Sequence, residues 1–128
     1  MPAQILIVDD EPRLADTLAI IFQHAGYAAT AVYNGEEALT FIASYQPLVV
    51  VTDVIMPGMD GISLAKRIRK SYPNCRVLLF SGNADTQDLL EAAHEEGHMF
   101  EVLAKPVPPP VMLAKVASLL DPMSPSHV

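Results

Sequence analysis

Five polar side chains each follow an apolar run in this sequence, and their types suit metal binding and phosphoryl chemistry. Asp9 and Asp10 end one run, Asp53 ends a second, and Ser81 and Lys105 end two more. Carboxylates are hard oxygen ligands that suit Mg²⁺, and Mn²⁺ could substitute. A lysine ammonium and a serine hydroxyl can hold phosphate oxygens. Together these groups could bind a divalent cation and accept a phosphoryl group.

The apolar runs before these side chains predict strands of a parallel sheet. Short runs rich in β-branched residues are typical of strands that are buried on both faces of such a sheet. Parallel strands deliver their C-terminal ends to one edge, and open α/β sheets bind ligands there. We therefore expect the five polar side chains to meet in one crevice. The runs are residues 5–8, 48–52, 77–80 and 102–104.

Length, composition and charge bound the class of protein. The chain has 128 residues, of which 51% are apolar, so we expect one folded domain over residues 1–120 and a flexible tail over 121–128. Its net charge of −7 argues against nonspecific binding to nucleic acid or to anionic lipid. The single cysteine, Cys75, fits a reducing compartment, and we expect a cytoplasmic protein. The first apolar run is too short for a signal peptide or a membrane span.

Predicted strands and helices alternate along the chain with short connections. Such alternation predicts a parallel sheet with right-handed crossovers. We expect a doubly wound five-stranded sheet in the order 2-1-3-4-5, which is the flavodoxin-like (βα)5 arrangement, with its switch point between strands one and three. The predicted strands are residues 4–9, 28–33, 48–53, 76–81 and 100–104, and the predicted helices are 12–25, 36–45, 61–72, 85–96 and about 109–120.

The switch point assigns a different role to each carboxylate. Asp53 is the predicted nucleophile because it stands alone at the centre of the switch point. Three neighbouring carboxylates raise one another's pKa unless a cation is present, so we expect Asp9 and Asp10 to hold a metal ion. The metal ion and Lys105 would neutralise charge on the transferring phosphoryl oxygens, and Ser81 could donate a hydrogen bond.

Four sequence blocks resemble the receiver domain of bacterial two-component response regulators, the CheY-like domain. The resemblance covers about residues 4–120 in the family's order. It implies that Asp53 takes phosphate from a sensor histidine kinase or a histidine phosphotransfer protein. It also implies that Asp10, Asp53 and the backbone carbonyl of Ile55 ligate Mg²⁺, with Asp9 acting largely through water. The blocks are IVDDEP at 7–12, DVIMPGMDG at 53–61, SG at 81–82 and KP at 105–106.

The same resemblance implies how phosphorylation is communicated. Ser81 would turn toward the phosphoryl group, Lys105 would bind it, and the peptide bond before Pro106 would be cis. Because Ser81 and Lys105 lie at the start of the surface of the fourth helix, fifth strand and last helix, we expect this surface to shift. This surface would contact an unknown downstream protein or a second copy of the chain.

The family often has an aromatic residue three positions before this lysine, and here the position holds Val102. Val102 is too small to act as an aromatic rotamer switch. We therefore expect the shift to involve the backbone of residues 82–86 and the side chain of Phe100.

Other function classes compete with a phosphoryl-accepting switch. A metal-dependent phosphatase with an aspartyl nucleophile needs a second acid two residues later, and Ile55 occupies that position. This disfavours an enzyme that acts on separate substrates. A receiver-like scaffold that does not turn over phosphate is the remaining alternative. In either case we expect no direct contact with nucleic acid or a membrane.

Overall fold

Strands and helices alternate along the chain in the computed structural model, which describes residues 3–82, 86–97 and 100–120. The predicted tail, 121–128, lies outside the described residues. The predicted elements are all present, with ends that differ by one or two residues. The strands are β1 (Gln4–Val8), β2 (Ala28–Val32), β3 (Val49–Asp53), β4 (Arg76–Ser81) and β5 (Glu101–Ala104). The helices are α1 (Pro12–His24), α2 (Gly35–Tyr45), α3 (Gly61–Ser71), α4 (Thr86–Glu95) and α5 (Pro109–Leu120).

The strands form one parallel sheet in the order β2-β1-β3-β4-β5. This confirms the predicted doubly wound order. β1 and β3 are neighbours, and their pairing ends with Val8 opposite Thr52. The ends of these two strands therefore bring Asp9, Asp10 and Asp53 to the same edge of the sheet.

Alternate side chains of the central strands enter two apolar layers. Ile5 and Ile7 of β1 pack in the layer that includes residues of α1 and α5. Leu6 and Val8 pack in the opposite layer, which includes residues of α2 and α3. All four side chains are completely buried, and each buried residue of this size stabilises the fold by about 1.5–3 kcal/mol. This rigid centre fixes the strand ends.

The prediction that every run is buried on both faces is wrong for β5. Its residues are half-buried, and Ala104 is exposed. The reason is its place at the edge of the sheet, where only β4 pairs with it. The charged residue that begins the strand, Glu101, forms an ion pair of 2.8 Å with Lys115 of α5. Such charge on an edge strand discourages pairing with other chains.

Side-chain caps determine where α2 and α3 begin. The side chain of Asn34 accepts a hydrogen bond from the backbone N–H of Glu37 at 2.8 Å. Asp60 accepts one from the backbone N–H of Ser63, also at 2.8 Å, which confirms the predicted cap. Each bond satisfies an N–H that has no partner within the helix. The backbone N–H of Gly61, the first residue of α3, also donates to the carbonyl of Val54 at 2.8 Å, which holds the start of α3 beside the end of β3.

Candidate functional site

Three carboxylates meet at the C-terminal ends of β1 and β3. Asp9, Asp10 and Asp53 each offer an oxygen, and these oxygens lie within 4.8 Å of one another. Asp9 is completely buried and Asp10 is exposed, while Asp53 is 8% exposed. The group is therefore anchored in the core and open to solvent on one side. A small ion and a phosphoryl donor could approach it from there.

The carboxylate of Asp9 is only half satisfied by the protein. Its Oδ1 accepts a hydrogen bond of 2.9 Å from the backbone N–H of Glu11, whereas its Oδ2 is buried and has no hydrogen-bond partner among the described residues. Burial raises the pKa of Asp9 to about 6, with smaller contributions from the charges of Asp53 and Asp10. The predicted repulsion between the carboxylates thus contributes to the raised pKa of Asp9, but desolvation is the larger cause. An unpaired buried oxygen in an acidic group fits a hard divalent cation or its bound water.

Asp53 also contacts the predicted phosphate-binding lysine. The Nζ of Lys105 donates to Oδ2 of Asp53 across 3.1 Å. The backbone N–H of Lys105 donates to the carbonyl of Ser81 at 2.8 Å, which holds the end of β5 beside the end of β4. A Cβ at Gly82 would lie 3.0 Å from the Cβ of Lys105, so glycine leaves room for the lysine side chain.

The remaining predicted residues surround the carboxylate group. Ser81 ends β4 and is 8% exposed. Ile55 is partly exposed, with 40% of the residue accessible to solvent. The peptide bond between Lys105 and Pro106 is cis. The structure thus places the predicted site residues at one edge of the sheet.

Two residues at this edge were missed by the sequence reasoning. Thr52 is completely buried, and its hydroxyl donates to the backbone carbonyl of Asp53 at 3.0 Å. Gly61 lies so close to Asp53 that a Cβ would overlap with the Asp53 carbonyl. A threonine within a valine run and a glycine directly after a capping aspartate were the available signals.

Among the described residues, no helix is long and apolar enough to cross a membrane.

Comparisons with known proteins agree with this geometry. The chain is 29% identical over 120 residues to the DNA-binding response regulator MtrA of Mycolicibacterium smegmatis, covering 94% of the chain and 51% of MtrA. It is 34% identical over 102 residues to the DNA-binding transcriptional regulator NtrC of Salmonella typhimurium, covering 80% of the chain and 21% of NtrC. The chain thus spans about half of the first relative and about a fifth of the second.

The fold is shared with solved receiver domains. A CheY-like response regulator receiver domain protein from Methanospirillum hungatei superposes with a TM-score of 0.85 at 25% identity, covering 94% of this chain and 95% of that one. The sequence model of the response regulator receiver domain matches residues 5–117. Because that match extends over nearly all of the described chain, the protein belongs to the response regulator receiver domain family.

Proposed function

We propose that this chain is a phosphoryl-accepting switch of a two-component phosphorelay, with Asp53 as the acceptor. The observation that carries the proposal is that the Asp53 carboxylate lies beside the carboxylates of Asp9 and Asp10 and also contacts Lys105. One carboxylate oxygen from each of the three acids lies within 4.8 Å of the other two, and the Nζ of Lys105 lies 3.1 Å from Oδ2 of Asp53. Phosphoryl transfer depends on positioning and on positive charge that stabilises the transferring oxygens, which Lys105 and a cation held by the acids would supply.

The donor set fits a resident Mg²⁺, with Mn²⁺ as a substitute. Asp10, Asp53 and the carbonyl of Ile55 would hold the ion, and Asp9 would act largely through water. The buried Oδ2 of Asp9 supports this assignment because the described part of the chain supplies no donor to it. When bound, the ion supplies positive charge that stabilises the phosphoryl oxygens.

The transfer itself uses the chain's own groups. A carboxylate oxygen of Asp53 attacks phosphorus, a new O–P bond forms, and the bond to the donor's histidine nitrogen breaks with its electron pair. Lys105 leaves the carboxylate oxygen and pairs with a phosphoryl oxygen, since a lysine on a flexible stem can follow the charge. Ser81 donates its hydroxyl to another oxygen. The product is an aspartyl phosphate that carries more negative charge than the free aspartate.

The donor and the recipient of the signal follow from this chemistry. A sensor histidine kinase or a histidine phosphotransfer protein supplies the phosphoryl group. The surface of α4, β5 and α5 passes the change to a downstream protein or to a second copy of the chain. MtrA and NtrC are named as DNA-binding proteins. The net charge of −7 here supports a domain that does not itself contact DNA.

Incubation with acetyl phosphate and Mg²⁺, followed by intact mass measurement, tests the proposal. We expect a stable gain of one phosphate that chelation of the metal prevents. Continuous hydrolysis of a phosphate ester would instead indicate a phosphatase. No gain of mass at any metal concentration would indicate a scaffold that does not turn over phosphate.

A further inference from the structure

Thr52 is a buried polar residue in a strand that otherwise consists of valines up to Asp53, the proposed phosphoryl acceptor. β3 reads Val49, Val50, Val51, Thr52, Asp53, and each of these residues is buried. A valine has the same branched shape and would bury no hydroxyl, so threonine carries a desolvation cost at this position. Buried hydroxyl groups of this kind nearly always have a hydrogen-bond partner. The partner of Thr52 therefore indicates what the residue does.

The hydrogen-bond partner of the Thr52 hydroxyl is the backbone carbonyl of Asp53, the proposed phosphoryl acceptor. Thr52 Oγ1 donates to the Asp53 carbonyl at 3.0 Å. The pairing of β3 with β1 ends at Val8 opposite Thr52, so no residue of β1 is paired with Asp53. Asp53 is still paired with Phe80 of β4, and the bond from Thr52 restrains its carbonyl where pairing with β1 has ended.

The first residue of α3 packs against this peptide and hydrogen-bonds to the next one. The backbone N–H of Gly61 donates to the carbonyl of Val54 at 2.8 Å. A Cβ on Gly61 would overlap with the carbonyl oxygen of Asp53 and would lie 2.9 Å from the Cα of Val54. These are backbone atoms of a buried segment, so they cannot turn aside as a flexible side chain could. Only glycine allows this close approach.

We propose that Thr52 and Gly61 are positioning residues for phosphoryl transfer, an inference that rests on the function proposed above. Neither touches the phosphoryl group. Together they fix two consecutive peptides, Asp53–Val54 and Val54–Ile55, and these peptides orient the Asp53 carboxylate before them and the Ile55 carbonyl after them. The rate of transfer depends on this orientation, because small displacements of reacting groups are costly.

The threonine is tested with a pair of variants and a matched control. We expect Thr52→Val to slow phosphate incorporation from acetyl phosphate by about tenfold, while Thr52→Ser, which keeps the hydroxyl, retains most of the rate. Thr40→Val is the control, because Thr40 makes the same kind of bond, 3.1 Å to the carbonyl of Glu36, on the exposed side of α2. All rates are measured well below the melting temperature of each variant.

The glycine is tested with a second matched pair. Gly61→Ala brings a methyl group against backbone, whereas Gly35→Ala, at the first residue of α2, brings one 2.8 Å from the Sδ of the flexible Met59 side chain. We expect Gly61→Ala to slow incorporation and Gly35→Ala to leave it near the wild-type rate. If Gly61→Ala does not fold, the threonine series decides.

The outcomes separate this inference from the proposed function. A wild-type chain that takes up no phosphate overturns the function itself. A wild-type chain that is phosphorylated, with Thr52→Val as fast as Thr40→Val, overturns the positioning role. Slow transfer in Thr52→Ser as well as in Thr52→Val would also overturn it, because the hydroxyl would then not be the decisive group.

Discussion

At the scale of single residues, Lys105 and Asp9 determine the electrostatics of the site. Lys105 places a positive charge beside the Asp53 carboxylate, and Asp9 places a carboxyl group out of contact with solvent. The two act in opposite directions on a bound cation, because the lysine repels it and the carboxylate attracts it. Substitution of each residue should therefore change metal binding in opposite directions.

We predict that Lys105→Met tightens Mg²⁺ binding by about fivefold, because it removes a nearby positive charge. Phosphate incorporation should slow by on the order of a hundredfold, since a charge that stabilises the transferring oxygens is lost. Titration calorimetry and intact mass measure the two effects. Lys66→Met is the control, because it breaks an ion pair of 2.6 Å with Glu96 away from the acceptor. Weaker Mg²⁺ binding in Lys105→Met would contradict this account.

We predict that Asp9→Asn stabilises the metal-free domain at about pH 7, by on the order of 2 kcal/mol. The pKa of Asp9 is about 6 in the folded protein against 3.8 for the free side chain. The folded state therefore binds the proton more tightly, and stability from this group is lost as the pH rises through about 6. Urea denaturation in the presence of a chelator should show a difference between variant and wild type that shrinks toward about pH 5. A difference independent of pH would contradict the assignment.

At the scale of elements, the start of α3 brings together the helix cap Asp60, the closely packed Gly61 and the end of β3. Asp60 holds the first turn through Ser63, with bonds of 2.8 Å to the backbone N–H and 3.1 Å to the hydroxyl. These bonds occupy the carboxylate of Asp60. Asp60 is therefore a structural residue of the loop, although it follows the acceptor in the same sequence block.

We predict that Asp60→Ala lowers the free energy of unfolding by about 1 kcal/mol and leaves the affinity for Mg²⁺ unchanged. Asn34→Ala should cost a similar amount, because Asn34 caps α2 with a bond of the same length, 2.8 Å. Denaturant unfolding and metal titration of both variants check this. Loss of metal binding in Asp60→Ala alone would show that Asp60 has a direct role at the site.

The order of the elements could be predicted from the sequence because apolar runs and helix signals alternate regularly. The exposure of β5 could not, because Val102 and Leu103 have the same local pattern as a central strand, and only the sheet order places them at an edge. Thr52 shows a similar limit. The role that we propose for its hydroxyl depends on the strand register, in which the pairing of β3 with β1 ends at Thr52, one residue before Asp53.

At the scale of the whole molecule, an apolar cluster connects β3, which ends at Asp53, to the surface of α4, β5 and α5 that we predict to pass on the signal. Val54, directly after Asp53, packs in a cluster with Leu79 of β4 and Ala93 of α4. Phe100 packs against the same cluster, and the guanidinium of Arg69 lies 4.3 Å from the centre of its ring. A displacement at the acceptor can therefore reach α4 and the segment before β5 through packed side chains.

We predict that a beryllofluoride-type phosphate mimic changes amide exchange within residues 82–104 and leaves α1 and α2 largely unchanged. The mimic adds negative charge at Asp53, which Ser81 and Lys105 can follow, and both residues adjoin that segment. Hydrogen exchange read by mass spectrometry provides the measurement. Changes confined to α1 and α2, with residues 82–104 silent, would contradict the proposed route.

The most direct test of the central claim is phosphate incorporation by wild type and Asp53→Asn under identical conditions. With acetyl phosphate and Mg²⁺, intact mass should show one phosphate on the wild type and none on Asp53→Asn. The amide keeps the size of the side chain but is a poor nucleophile. Labelling of Asp53→Asn at the wild-type level would show that Asp53 is not the acceptor and would contradict the account.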